Sequence, residues 1–216
     1  MKRAIDLIGG SLLAVVAVPL ILLLATAGTV VWRANPFFVQ ERIGRDGRRF
    51  RLWKLRSLPV RAPAYADKYA LNEVPIPWFG RMLRRLHLDE LPQLFHVVSG
   101  KMSLVGPRPE MAFLHERMPA DFAALRVSVR PGVTGLWQIS PAVQGLILEA
   151  PEYDRAYVAA SRLRLDVWIL YRTLAQAVGA RHVALDAVPA SLLAPEARAH
   201  AQHRVTPHAQ VAPHHG

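Results

Sequence analysis

The hydrophobic pattern divides this chain into one uninterrupted apolar stretch and a longer remainder of short periodic pieces. From Leu7 to Trp32 there is no charged residue, and a helix of that length is enough to cross the hydrocarbon core of a bilayer. No other stretch reaches that length, which excludes a multi-span transporter. The run is too long for a secretory signal, and no small-x-small cleavage site leads into a polar start. Length alone fits a simple single-span anchor. Pro19, near the middle, removes a backbone donor and bends a helix. Lys2 and Arg3 precede the run while Arg33, Arg42 and Arg45 follow it, so positive charge does not choose an orientation. A helix that kinks at Pro19 and returns to the face it entered satisfies both features. The pattern leaves the two topologies open, with residues 1–34 as the membrane element.

Past this element the period changes. Phe38, Gln40 and Arg42 alternate with Val39, Glu41 and Ile43, Asp46-Gly47 supplies turn chemistry, and Phe50, Leu52 and Trp53 begin the return. This predicts a β-hairpin over Phe37–Arg56. Seven Lys or Arg residues fall between Arg42 and Arg56. Such a cluster beside a membrane element is expected to rest on anionic headgroups, at about 1 kcal/mol per cation. Pro59, Pro63, Pro75 and Pro77 mark an irregular connection. Trp78–Leu86 has helical spacing, with Phe79, Met82, Leu83 and Leu86 on one face. Asp89 suits the N-cap of a helix reaching about Val98, with Pro92 in its first turn and Gly100 ending it.

Ala120–Val127 is predicted helical, and Arg130–Gln138 a structured loop. Tyr153–Val178 is predicted as one or two helices. Their apolar stripe of Leu163, Val167, Leu170, Tyr171, Leu174 and Val178 fits core and interfacial packing equally. The catalytic domain is therefore expected over 35–188. The tail, 189–216, is rich in Ala, Pro and His and is expected to be disordered. Its histidines (His200, His203, His208, His214, His215) have no metal-ligand spacing.

Length and charge narrow the class. A chain of 216 residues is expected to hold one domain, or one domain plus a membrane element. The net charge of +11 suits nucleic acid or anionic lipid. The apolar run and the lack of a nucleic-acid motif favour lipid, with no nucleic acid as partner. There is no Cys, which excludes disulfides, Cys-ligated zinc and a Cys nucleophile.

Candidate chemistry concentrates in Leu88-Asp89-Glu90-Leu91-Pro92-Gln93 and Met102-Ser103-Leu104-Val105-Gly106-Pro107-Arg108-Pro109-Glu110. Asp89 at a helix start is a cap or a nucleophile, since the helix terminus favours the anion that attacks. Glu90 beside it suits a divalent ion or proton transfer, and hard Mg²⁺ prefers carboxylate and phosphate oxygens. Arg108 is fixed between two prolines, which suits a guanidinium that holds phosphate bidentately.

These motifs together resemble the bacterial sugar transferases, the small monotopic polyprenyl-phosphate phosphoglycosyltransferases. The resemblance runs from Lys2-Arg3-Ala4-Ile5-Asp6 through Phe37-Phe38-Val39-Gln40-Glu41-Arg42-Ile43-Gly44 and Lys54-Leu55-Arg56-Ser57 to the two motifs above. It continues through Arg130-Pro131-Gly132-Val133-Thr134-Gly135-Leu136-Trp137-Gln138 and Leu165-Asp166. It implies an α+β fold, mainly helical with a small β-hairpin. A re-entrant membrane helix and interfacial amphipathic helices accompany it. The family's helix breaks at Ser-Pro, and here the pair is Val18-Pro19. The resemblance further implies Asp89 as nucleophile, Glu90 as its catalytic partner, both carboxylates as Mg²⁺ ligands, and Arg108, Arg84 and Lys54 as phosphate-binding groups. His87, His96 and Lys101 stand where the family favours Ser, Asn and Asp.

The implied activity is transfer of a sugar 1-phosphate from a UDP-sugar to polyprenyl (undecaprenyl) phosphate, with UMP released and a covalent aspartyl-phosphosugar intermediate. That is the first membrane step of exopolysaccharide, O-antigen or glycoconjugate assembly, at the cytoplasmic face of a bacterial inner membrane. Anionic membrane lipid is a further expected partner, and self-association into a homo-oligomer is left open. The competing class is a non-catalytic, membrane-tethered basic scaffold that binds anionic lipid or nucleic acid.

Overall fold

The computed structural model describes residues 1–65, 69, 71, 74–160 and 163–195. Helix α1 spans Lys2–Trp32, with Pro19 inside it. A hairpin follows, β1 (Phe37–Ile43) against β2 (Arg49–Leu55), antiparallel with Phe37 opposite Leu55 and Ile43 opposite Arg49. The turn places Asp46 and Gly47 at positive φ, 57° and 72°, the conformation Asp and Gly tolerate best. Helix α2 (Trp78–Arg85), a 3₁₀ segment (Leu88–Gln93) and helix α3 (Leu94–Val98) come next. Then follow β3 (Ser103–Val105), α4 (Ala112–Glu116), α5 (Ala120–Val127), β4 (Gly132–Thr134), α6 (Glu152–Ala160) and α7 (Leu163–Ala177). The fold is therefore α+β and mainly helical, with the expected hairpin. It also contains a parallel β3–β4 pair where the motif from Arg130 was expected to be only a loop.

One face of α1 is built of Asp6, Gly10, Ala14, Ala17, Ile21, Leu24, Ala25 and Gly28, all buried. Small residues on this face admit close neighbours. A Cβ on Gly10 would come within 2.8 Å of Val97, and one on Gly28 within 3.3 Å of Pro36. The opposite face, with Ile8, Leu12, Val15, Val16, Leu22, Leu23 and Val30, is exposed and apolar apart from Thr26 and Thr29, whose hydroxyls donate back to the Leu22 and Ala25 carbonyls of the same helix. Both ends are bound to the same domain. At the start, Lys2 Nζ donates to Val105 O (3.0 Å) and Asp166 Oδ2 (2.5 Å). Arg3 donates to the carbonyls of Val97 and Val98, and Asp6 accepts from Ser103 Oγ and Leu104 N–H. At the far end, Trp32 Nε1 donates to the Arg56 carbonyl (2.9 Å). Lys2 and Arg3 are thus structural ties, and a positional reading of their charge missed this.

The core joins this helix face to Leu52, Leu55, Phe79, Leu83, Val97, Met102, Leu136, Ile139, Leu165 and Ile169. Each such side chain contributes roughly 1.5–3 kcal/mol by leaving water. Three local expectations are corrected, and one left open, the face presented by α7, is decided. Asp89 is not an N-cap: His87 holds that position, in the left-handed region at φ 55°. Pro92 has no N–H to donate, so the chain begins this element as a 3₁₀ turn. The basic cluster is not one surface. Arg42 and Lys54 turn inward, and Arg49 pairs with Glu41 at 2.9 Å. On α7 the stripe of Val167, Tyr171, Leu174 and Val178 faces outward, because Leu165, Asp166 and Ile169 supply the buried side. Finally, the packed chain extends beyond Val188 to a buried Leu193. Residues 196–216, with the five tail histidines, lie outside the described residues.

Two predictions follow from this packing. Cysteines placed at Ala4 and at Ala34 in separate variants should behave alike toward an impermeant thiol reagent in intact cells, because both ends of α1 rest on one domain. Labelling of one with protection of the other would show a true span. Gly80, in α2, has no room for a methyl group, since a Cβ there would collide with the Ser57 carbonyl. Gly80→Ala should destabilise the protein by about 1–3 kcal/mol and lower activity by moving Ser57, measurable by thermal melting and turnover.

Candidate active site

The 3₁₀ segment lies between β2, α1 and α2 and carries Asp89 and Glu90 into one cavity of ≈ 390 Å³. Arg42, Lys54, Arg84, His87 and Arg108 line the charged end of that cavity, and Met111, Leu114, Trp137, Val143 and Ile147 line its apolar side. All five residues singled out from the sequence therefore meet: Lys54, Arg84, Asp89, Glu90 and Arg108.

Glu90 holds the group together. Its Oε1 accepts from Lys54 Nζ at 2.6 Å and from Arg108 Nη2 at 2.8 Å. Asp89 is held more loosely, with Ser57 Oγ donating to its Oδ2 at 3.3 Å. Arg84 is exposed at the rim and acts on Asp89 through charge alone. Behind this group sits Arg42, which donates to Gln40 Oε1 and to the Pro109 carbonyl and lies 3.6 Å from Glu110.

The two adjacent carboxylates are driven apart. Burial raises the Asp89 pKa above the usual carboxylate range, with Lys54 the strongest opposing charge. Burial also penalises the Glu90 anion, but Arg108 and Lys54 outweigh it and hold Glu90 well below that range. Glu90 in turn raises the Arg108 guanidinium. Burial lowers the Lys54 ammonium despite Glu90 beside it, and lowers Arg42 to about 10. Of the two, Asp89 is thus the carboxylate whose charge is compensated less, a property expected of a group that reacts.

Of the three positions that depart from the family pattern, His96 and Lys101 lie off the cavity, while His87 is on its lining. His96 is buried, its Nε2 accepts from Trp53 N–H at 3.1 Å, and its ring meets Phe50 and Trp53 edge-on. Burial, followed by Lys101, lowers it to about 4, so it is neutral and an acceptor near neutral pH. His87 supplies the left-handed residue before the 3₁₀ turn, and Lys101 is exposed.

The donor set suits a hard cation that shares its ligands. Ser57 engages one oxygen of Asp89, and both cations engage one oxygen of Glu90, which leaves the second oxygen of each for a ligand. Among the described residues no group of three His, Cys, Asp or Glu side chains can hold a metal ion. The remaining ligands would be phosphate and water oxygens, the usual arrangement for Mg²⁺. Sequence reasoning missed Ser57, Arg42 and Gln40 as cavity residues, although all lie in quoted motifs.

Comparison with known proteins agrees with this geometry. The family described as bacterial sugar transferase matches residues 1–180. A UDP-N-acetylgalactosamine-undecaprenyl-phosphate N-acetylgalactosaminephosphotransferase of Aeromonas hydrophila is 35% identical, over 81% of this chain and 43% of its own length. A UDP-glucose:undecaprenyl-phosphate glucose-1-phosphate transferase of Caulobacter vibrioides is 36% identical, over 80% of this chain and 65% of its own. The exopolysaccharide production protein ExoY of Rhizobium meliloti is 32% identical, over 80% of this chain and 83% of its own. The chain spans about two fifths of the length of several relatives, including the Aeromonas protein. A match over 180 residues, in motif order and with the charged motif residues converging on one cavity, identifies the chain as a member of the bacterial sugar transferase family.

Proposed function

We propose that this protein transfers a sugar 1-phosphate from a UDP-sugar to polyprenyl phosphate at the cytoplasmic face of a bacterial inner membrane. The outward apolar faces of α1 and α7 rest in lipid, with anionic headgroups alongside. The observation that carries the reading is the meeting of Asp89, Glu90, Lys54, Arg84 and Arg108 at one cavity beside an apolar helix. A soluble donor and a lipid acceptor must meet at the headgroup plane, and a site tied to both ends of α1 is suited to that.

In the mechanism proposed, an Asp89 carboxylate oxygen attacks the sugar-bearing phosphorus of the donor. The bond from that phosphorus to the bridging oxygen breaks, and UMP leaves with the electron pair. An oxygen of polyprenyl phosphate then attacks the phosphorus of the aspartyl-phosphosugar. The acyl-phosphate bond breaks, the Asp89 carboxylate is restored, and polyprenyl diphosphate sugar departs. Phosphoryl transfer depends chiefly on in-line positioning and charge neutralisation. Arg108 and Arg84 bind and orient the phosphates, while Lys54 and Arg108 keep Glu90 ionised beside them. Held by the available oxygens of Asp89 and Glu90, Mg²⁺ would neutralise diphosphate charge.

Asp89→Asn separates this role from a structural one. Because burial raises the Asp89 pKa, the ionised carboxylate is less favourable in the folded chain than in the unfolded one. Folding carries that cost at every pH above the folded pKa. The neutral amide removes it, so the variant should melt higher near neutral pH. The advantage should vanish once acid protonates the unfolded chain as well. Turnover should nevertheless fall by roughly three or more orders of magnitude. A lower melting point, or retained activity, would contradict this reading. Wild-type protein given a UDP-sugar without acceptor should release about one UMP per site and gain one sugar phosphate on the peptide bearing Asp89. Turnover without such an adduct under rapid quench would replace double displacement by direct transfer.

A further inference from the structure

Arg108 lies in a segment that is unusually hard to anchor. Pro107 and Pro109 have no N–H, so the backbone around Arg108 must be held chiefly through its carbonyls. Four consecutive carbonyls are held, each by a different residue. Gly132 N–H donates to Pro107 O at 2.9 Å, and Arg126 Nη2 to Arg108 O at 2.5 Å. Arg42 Nη1 donates to Pro109 O at 3.1 Å, and Ile43 N–H to Glu110 O at 2.9 Å.

Arg126, in the last turn of α5, is the one that reaches the carbonyl of Arg108 itself. Its side chain is only 5% exposed, and its Nε donates to Asp154 Oδ2 of α6 at 2.7 Å. Asp154 is 1% exposed. A buried Arg–Asp pair stabilises a core no better than apolar side chains of similar volume. This pair does something apolar side chains cannot: one arm of the guanidinium is locked by Asp154 while another grips the Arg108 backbone. The planar fork makes both bonds at once, which an ammonium cannot do.

We propose that Arg126, oriented by Asp154, is a positioning residue that sets Arg108 so that its guanidinium reaches both Glu90 and the donor's phosphate. This rests on the transferase reading above. Neither residue lines the cavity; Arg126 reaches the lining through its hydrogen bond to the Arg108 carbonyl and, at the longer distance of 4.0 Å, through Glu110.

The test is a double-mutant cycle on the full chain in lipid nanodiscs, with UDP as the ligand. Arg126→Lys keeps the charge facing Asp154 and loses the fork. It should weaken UDP binding about tenfold and raise the donor KM in parallel, with kcat changed less than about threefold. In an Arg108→Ala background the same substitution should alter UDP affinity less than about twofold, because nothing remains to be positioned. Equal weakening in both backgrounds, or none in either, overturns the proposal. Should Arg126→Lys not fold, Asp154→Glu makes the same test by displacing Arg126 without removing charge. Loss of folded protein in both variants also overturns it, since the pair would then be a core element. Wild-type protein that binds neither UDP nor UDP-sugars refutes the transferase reading, and this inference with it. UDP binding with additive effects refutes the inference alone.

Discussion

The Glu90 carboxylate, gripped at one oxygen by Lys54 and Arg108, is the contact on which the site depends. It ties the end of β2, the 3₁₀ turn and the Pro-Arg-Pro segment at a single point. Removing such charges from water costs several kcal/mol per ion, recovered only when geometry and hydrogen bonding are good. Deleting one member would leave its partners buried and uncompensated, at a cost of about 3–5 kcal/mol. The arrangement is therefore specific before it is stabilising. With more cations than carboxylates lining the cavity, it is also poised for a polyanion.

The same tie explains why Asp89 differs from its neighbour. Glu90 takes the two short hydrogen bonds from cations, and Asp89 is left with one long bond from Ser57. Two adjacent residues of the same charge are given opposite environments by where their side chains point. A carboxylate that is buried and under-compensated lowers stability, and a reactive group is where such a cost is expected.

The apolar helix packs directly against the 3₁₀ segment of this site and is also coupled to it through one short strand. Asp6 takes the Leu104 N–H and Lys2 the means of holding the Val105 carbonyl, so charged side chains serve along β3 where a further strand would otherwise pair. The other edge of β3 pairs with β4. Immediately after β3 the chain runs through Gly106 and Pro107 to Arg108. Lys2 also meets Asp166 and the Tyr157 hydroxyl, so the start of α1 is fixed by residues from the far end of the fold.

What could be read from the chain alone was local chemistry. The family resemblance joined Asp89, Glu90 and Arg108 as one candidate set; from the residues themselves, the alternation around Asp46-Gly47 predicted the hairpin and the uncharged run from Leu7 to Trp32 the long helix. These depend on residues within a few positions of one another, where periodicity and turn preference act directly. Only the tertiary structure decided which way those elements face. It turned Arg42 and Lys54 inward and the apolar stripe of α7 outward, freed Asp89 from capping, and paired β3 with β4. It also brought Arg126 and Asp154 behind Arg108. Each of these outcomes turns on a partner far away in the chain, and a helix face or a buried charge has no preferred direction until that partner is in place.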